Sequence, residues 1–172
     1  MRAIAVLVLL ALAAAASAAA ESARHGGGPA TRTVTCAESI DRTIFPYVGS
    51  RRHRYRTALG AVSLPPAFLQ AYHHPEAHDW PYFAKSGVVV RSTRQTVTLT
   101  VPRAFRSRVV IAWGNADNVY ATVRFVGCGS DPRAGHAYAG GFALRSSSAC
   151  VPLLVRVGDR TATVRFGLGR RC

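Results

Sequence analysis

The sequence is poor in acidic residues and nearly devoid of lysine. Its 172 residues include 8 Asp and Glu against 22 Lys and Arg, and Lys85 is the only lysine. The formal net charge is therefore +14 at pH 7. A glycosidase needs two carboxylates that face each other across a cleft, and the positions of these few acidic residues do not identify such a pair. Glu76 with Asp117 or Asp131 is the one combination left as an alternative. The excess of positive charge predicts adhesion to anionic polymers, such as acidic wall glycans, anionic lipid headgroups or extracellular nucleic acid.

Motifs of common catalytic and cofactor sites are also absent. The chain has no GxSxG elbow, no HExxH pair, no Cys-x-x-Cys, no P-loop and no dinucleotide fingerprint. Aromatic residues do not alternate with the basic ones, except at Tyr55, so specific nucleic-acid recognition is not expected. These absences favour a binding protein over an enzyme.

Long hydrophobic runs are missing after the first twenty residues. Arg2 precedes an apolar stretch at residues 4–16, and small residues follow it, which predicts a secretory signal peptide over residues 1–20. Its removal takes away Arg2, so the net charge falls by one, from +14 to +13. We expect a secreted or envelope-associated protein whose mature chain has no transmembrane segment. A glycine-rich tether should occupy residues 21–30 and a single domain residues 31–172.

Cysteine is scarce but even in number. An even count in an exported chain predicts two disulfides, which four cysteines can form in three ways. We expect Cys128 to pair with Cys150, closing a loop between neighbouring elements, and Cys36 with Cys172, tying the first strand to the last residue. No thiol is then left over for catalysis.

Strand patterns dominate the chain from residue 86 onward. Threonines alternate with Val97, Leu99 and Val101, which predicts a strand with one buried face. Almost no helical periodicity is present. The other expected strands include residues 31–36, 87–91, 138–145, 150–157 and 161–167, the last two forming a hairpin at Gly158-Asp159.

Residues 105–128 predict a central β-hairpin. Two apolar runs, residues 108–113 and 119–126, flank the turn-forming sequence GNADN. The first run is apolar at successive positions and is therefore expected to be a central strand. With eight or nine short strands in all, the expected fold is an all-β antiparallel sandwich of immunoglobulin-like architecture, and a closed barrel is the main alternative.

Residues 65–83 form an irregular segment rich in proline and aromatic residues. Imidazoles beside carboxylates suit zinc or another transition metal, and they make a metal-dependent hydrolase the alternative function. The competing interpretation of the histidines is a solvated, aromatic-packed loop that holds no metal. Aromatic side chains beside polar groups also suit a binding rim for sugars, whereas the competing interpretation there is that Trp80, Tyr82 and Phe83 close one end of the core. The candidate metal ligands are His73, His74 and His78, beside Glu76 and Asp79, and the candidate binding residues are Trp80 and Tyr82.

Arginines occupy outward positions on three expected strands. If these strands are neighbours, Arg124, Arg156 and Arg165 form a stripe that could grip phosphates or carboxylates. The basic segment at residues 51–56 is a second candidate patch. The competing interpretation is ordinary solvated charge, which also discourages pairing between sheet edges.

The spaced elements WG, YAGGF, C and GRRC, together with the Ala- and Arg-rich composition, resemble small secreted β-rich proteins of high-GC actinobacteria. The resemblance covers about residues 88–172 and implies export and a β-rich fold, without identifying functional residues. We therefore expect a binding protein whose Arg-rich face holds anionic cell-envelope or extracellular polymers. A small inhibitor or structural partner of another exported protein is a third hypothesis.

Overall fold

Strands make up nearly all of the regular structure. The computed structural model describes residues 31–114 and 118–172, and these residues form fifteen short strands and two short 3-10 turns. The all-β class is thus confirmed, with more strands than the eight or nine expected. The expected signal peptide (residues 1–20), the tether (residues 21–30) and residues 115–117, which include Asp117, lie outside the described residues.

The strands have the following bounds in chain order: β1 (Thr31–Val34), β2 (Asp41–Ile44), β3 (Arg56–Ala58), β4 (Val62–Leu64), β5 (Phe68–Leu69), β6 (Tyr72–His73), β7 (Tyr82–Lys85), β8 (Val88–Arg91), β9 (Val97–Thr100), β10 (Val109–Ile111), β11 (Thr122–Phe125), β12 (Ala134–Tyr138), β13 (Gly141–Leu144), β14 (Ala149–Val157) and β15 (Arg160–Leu168). The 3-10 turns are Cys36–Glu38 and Arg103–Phe105.

The described strands divide into three sheets. The six-stranded sheet has the order β1-β11-β9-β14-β15-β5, the four-stranded sheet β10-β13-β7-β6, and the five-stranded sheet β2-β12-β8-β4-β3. Pairing is antiparallel except between β1 and β11 and between β15 and β5, which are parallel. The expectation of antiparallel pairing therefore holds for most of the fold, and the immunoglobulin-like sandwich stays a prediction.

Aromatic side chains join the three sheets in one core. The ring of Phe125 on β11 lies 4.7 Å from that of Tyr138 on β12, between centroids. Phe142 on β13 lies 5.0 Å from Phe166 on β15 and 5.1 Å from Trp113. All five side chains are fully buried. Burial raises the pKa of Tyr138 to about 12, so its hydroxyl is neutral at physiological pH.

The alternation expected along β9 is confirmed. Val97, Leu99 and Val101 are fully buried, and the threonines between them face the other side of the sheet. The hairpin of β14 and β15 is also confirmed. Gly158 turns it with a φ of 56°, a conformation that glycine adopts without a steric penalty.

The expected central hairpin is wrong. β10 pairs with β13 at one edge of the four-stranded sheet, whereas β11 lies between β1 and β9 in the six-stranded sheet. Within the described residues the two segments pair at one antiparallel bridge between Ile111 and Tyr120, whose backbone groups exchange hydrogen bonds of 2.8 and 2.9 Å. Residues 109–113 are all buried. Both faces of this segment are therefore covered, although β10 is an edge strand and not a central one.

The expected strand at residues 138–145 is two strands in two sheets. β12 belongs to the five-stranded sheet and β13 to the four-stranded sheet, and the chain passes between them at Gly140 and Gly141. These glycines have φ values of 150° and 156°. A Cβ atom at Gly140 would overlap the carbonyl oxygen of Ala112. Only glycine fits this crossing, because it combines positive φ with close backbone approach.

Two disulfides are confirmed, but the expected pairing is wrong. The bonds join Cys36 to Cys128 and Cys150 to Cys172. Cys36 follows β1 and Cys128 follows β11, which are parallel neighbours, so the two cysteines leave the sheet at the same end. Cys150 lies at the start of β14, and Cys172 follows its antiparallel neighbour β15. Two such bonds are typical of an oxidising compartment. The described residues include no helix that could span a bilayer.

We predict that Gly140→Ala lowers the free energy of unfolding by at least about 3 kcal/mol, because it adds a steric overlap to the cost of positive φ. Gly60→Ala is the matched control, since Gly60 has a φ of 63° and a Cβ atom there would meet nothing within 4 Å. Urea unfolding measures both, and the control should lose only about 1–2 kcal/mol. Equal losses would contradict the account of the crossing.

We predict unequal contributions from the two disulfides. The bonds span 92 and 22 residues, which correspond to roughly 4.6 and 3.4 kcal/mol in the chain-entropy model. The Cys36→Ala/Cys128→Ala variant should therefore be the less stable of the two paired variants in thermal unfolding. Peptide mapping without reduction should recover Cys36 linked to Cys128, and a peptide linking Cys128 to Cys150 would refute the pairing.

Candidate functional site

The outward face of the six-stranded sheet carries two rows of threonine and arginine, which we name the Thr/Arg face. Strand pairing places side chains of adjacent strands side by side on one face. The first row is Thr31, Thr122, Thr100, Leu154 and Thr163, and the second is Thr33, Arg124, Thr98, Arg156 and Thr161.

Arg124 and Arg156 flank Thr98 on either side. Each arginine is the direct cross-strand partner of Thr98. The Cα atoms of Arg124 and Arg156 therefore lie two strand spacings apart, roughly 10 Å. Both arginines are exposed, whereas Thr98 is 9% exposed. A shallow depression of about 700 Å³ lies over these residues. An oxyanion above Thr98 could accept hydrogen bonds from both guanidinium groups.

No acidic side chain belongs to either row of the Thr/Arg face. Among the described residues the one ion pair joins Arg32 to Glu38, so neither Arg124 nor Arg156 is neutralised by a described carboxylate. The other polar groups of the face are hydroxyls, and those of Thr122 and Thr100 share a hydrogen bond of 3.2 Å. The face therefore offers donors and positive charge without a competing anion.

Arg165, the third predicted member of the stripe, lies elsewhere. It faces the same side of β15 as Thr161 but four residues further along, roughly 13 Å away. It lines a separate depression with Arg56, Phe68 and Arg171. The Arg56 guanidinium stacks over the Phe166 ring at 4.7 Å, and burial lowers its pKa. The structure thus brings together two of the three predicted arginines.

The second candidate basic patch lies in the loop between β2 and β3. Arg51, Arg52 and Arg54 are exposed there, whereas Arg56 is partly buried on β3. The strands β2 and β3 belong to the five-stranded sheet, whereas the Thr/Arg face lies on the six-stranded sheet. The loop is therefore a separate surface of similar charge.

The histidine-rich segment is the tip of a β-hairpin formed by β6 and β7. The amide of His74 donates to the carbonyl of Pro81 at 2.7 Å and closes the tip. The rings of His73 and His74 have different partners, Tyr82 at 5.1 Å and Phe83 at 6.2 Å. In the part of the chain that the structure describes, no three His, Cys, Asp or Glu residues gather in a way that could hold a metal ion. The predicted ligands His73, His74 and His78 thus gain no geometric support.

Behind this tip an open cleft of about 720 Å³ lies on the outward face of the four-stranded sheet. We name it the Trp80 cleft. Trp80 lines it, but Tyr82 does not, because Tyr82 faces the core and its neighbour Phe83 faces the cleft. Sequence reasoning did not include Phe83 among the candidate binding residues, although the opposite faces of successive strand residues could have indicated it. The full lining is His74, Glu76, Ala77, His78, Asp79, Trp80, Phe83, Ala112, Asn118, Val119 and Ala143.

A polar cluster fixes β1 beside the end of the β10 segment. Arg32 donates hydrogen bonds to the Glu38 carboxylate and, at 2.7 Å, to the carbonyl of Gly114. The Thr35 amide donates to Glu38 Oε2 at 2.7 Å. This amide, together with the Thr35 hydroxyl and the Arg32 charge, holds the pKa of Glu38 below its usual value of 4.5.

No protein-family model matches the chain, and no curated protein is significantly similar to it. The resemblance to secreted actinobacterial proteins therefore stays a prediction.

We predict that Glu38 contributes stability that is lost in acid. A carboxyl whose pKa is depressed on folding stabilises the native state above its unfolded pKa, here about 4.5, and this contribution disappears as the pH falls through the lower folded value. Glu38→Gln should therefore be less stable than the wild type in urea at pH 6, and the difference should shrink at pH 3. An unchanged difference at both pH values would contradict the prediction.

Proposed function

We propose that this protein is an exported, non-enzymatic binding module that adheres to anionic polymers of the cell envelope or its surroundings through the Thr/Arg face. The observation that carries the proposal is the placement of Arg124 and Arg156 on either side of Thr98, with no acidic residue in either row. The two disulfides and the leader-like sequence at residues 1–20 support the exported location.

The chemistry of the face suits extended anions carrying phosphate or carboxylate groups. Arginine presents a planar fork of donors that matches both groups, and the Thr98 hydroxyl adds a donor between the two guanidinium groups. A single exposed ion pair contributes only about 0–1 kcal/mol, so a monomeric anion should bind weakly. A polymer bears many such groups and engages several sites at once, which raises its apparent affinity.

We also propose a sandwich arrangement of the sheets that positions this face. Aromatic pairs join the six-stranded sheet to both smaller sheets, through Phe125 with Tyr138 and Phe166 with Phe142. This is expected if the two smaller sheets together form the layer opposite the six-stranded sheet. The Thr/Arg face is then the solvent side of one whole layer.

We predict that retention on an immobilised polyphosphate matrix depends on the Thr/Arg face. Arg124→Gln/Arg156→Gln should elute at a markedly lower salt concentration than the wild type, because the paired guanidinium groups are lost. Elution should also be salt-sensitive throughout, since exposed charges are screened over about 8 Å at physiological ionic strength.

The matched control is Arg51→Gln/Arg52→Gln, which also removes two positive charges, but from the loop between β2 and β3. It should elute closer to the wild type. Equal shifts in elution for the two double variants would show that net charge alone governs retention. Retention that does not change with salt concentration would contradict an electrostatic basis for binding.

A further inference from the structure

We propose that the Trp80 cleft is a second binding site, one that takes a neutral pyranose ring of a glycan. It lies on the four-stranded sheet and shares no lining residue with the Thr/Arg face. The proposal is therefore independent of the anion-binding function and of the residues that carry it.

Small side chains form the floor of the cleft. Along β10 and β13, Ile111, Phe142 and Leu144 belong to the core, so Ala112 and Ala143 point to the opposite side of the sheet. They are nevertheless only 7% and 3% exposed. Alanines at both positions leave depth between the hairpin tip and residues 118–119, where larger side chains would fill the space.

Aromatic rings form one wall. Phe83 rises from β7, and Trp80 closes the hairpin tip, where its amide donates to the carbonyl of Ala77 at 3.1 Å. The Arg145 guanidinium stacks on the indole at 4.9 Å and restricts its orientation. Both aromatic side chains are partly exposed. A held, half-exposed aromatic ring is suited to pack against the C–H face of a sugar.

The rim supplies hydrogen-bonding groups of the right kind. Glu76 and Asp79 accept hydrogen bonds from hydroxyls, and the Asn118 amide both donates and accepts. Neither carboxylate forms an ion pair with a described residue. Two of the 8 acidic residues of this basic chain thus lie on one cleft, against the single guanidinium of Arg145 stacked on Trp80, so the cleft has no excess of positive charge to attract phosphate or carboxylate ligands. A volume of about 720 Å³ is within the usual range for small-ligand sites.

Tryptophan fluorescence tests this proposal directly. The chain has 2 tryptophans, and Trp113 is fully buried, so changes on ligand addition report on Trp80. Neutral trisaccharides of glucose, mannose and N-acetylglucosamine are titrated into the purified protein. At least one should shift the emission saturably, and Ala143→Leu should weaken its binding at least tenfold by filling the floor. Calorimetry should show the same loss for Trp80→Ala.

Two further variants keep the test decisive if Ala143→Leu does not fold. Asn118→Ala changes an exposed rim position and should also weaken binding severalfold, whereas Arg124→Gln/Arg156→Gln should leave sugar binding unchanged. The proposal is overturned if none of the trisaccharides binds saturably or if the cleft variants bind them as the wild type does. It is also overturned if a simple amine such as phenethylamine changes the Trp80 fluorescence and no trisaccharide does.

Discussion

Every feature of the Thr/Arg face depends on the register of three neighbouring strands. In β11, β9 and β14 the buried residues Val123, Leu99 and Val155 are cross-strand partners. A shift of one residue would bring arginine into the core and expose these apolar side chains, so hydrophobic burial locks the pairing. The same register then places Arg124 and Arg156 around Thr98 on the opposite face. The geometry of the charged surface is therefore a consequence of the core.

The division into three sheets gives the protein two outward surfaces of different chemistry. The glycines at positions 140 and 141 let the chain pass from β12 to β13, and the separation of β10 from β11 sends adjacent segments into different sheets. The six-stranded sheet presents arginine and hydroxyl groups without carboxylates. The four-stranded sheet presents aromatic rings, small apolar residues and two carboxylates around a cleft. A basic chain can in this way place two of its few carboxylates around one cleft.

Sequence periodicity predicted which residues face the core far better than it predicted which strands are neighbours. The alternation along β9 and the β14–β15 hairpin followed from local patterns, and the number of disulfides followed from the even count of cysteines. The partners of β10, β11, Cys36 and Cys150 did not, because they depend on contacts between residues far apart in the chain. For the same reason the sequence places Arg165 in one stripe with Arg124 and Arg156, whereas in the structure it lies in a different depression. Ala112 and Ala143 carry no local signal that distinguishes a cleft floor from an ordinary core position.

The proposed function requires that the Thr/Arg face, and not basic charge in general, holds anionic polymers. Amide chemical-shift mapping by NMR during titration with a short polyphosphate tests it most directly. The account predicts that the largest shifts fall on Thr98, Arg124, Arg156 and their neighbours in the two rows. Shifts centred on the loop that contains Arg51 and Arg52, or spread evenly over all exposed arginines, would contradict it.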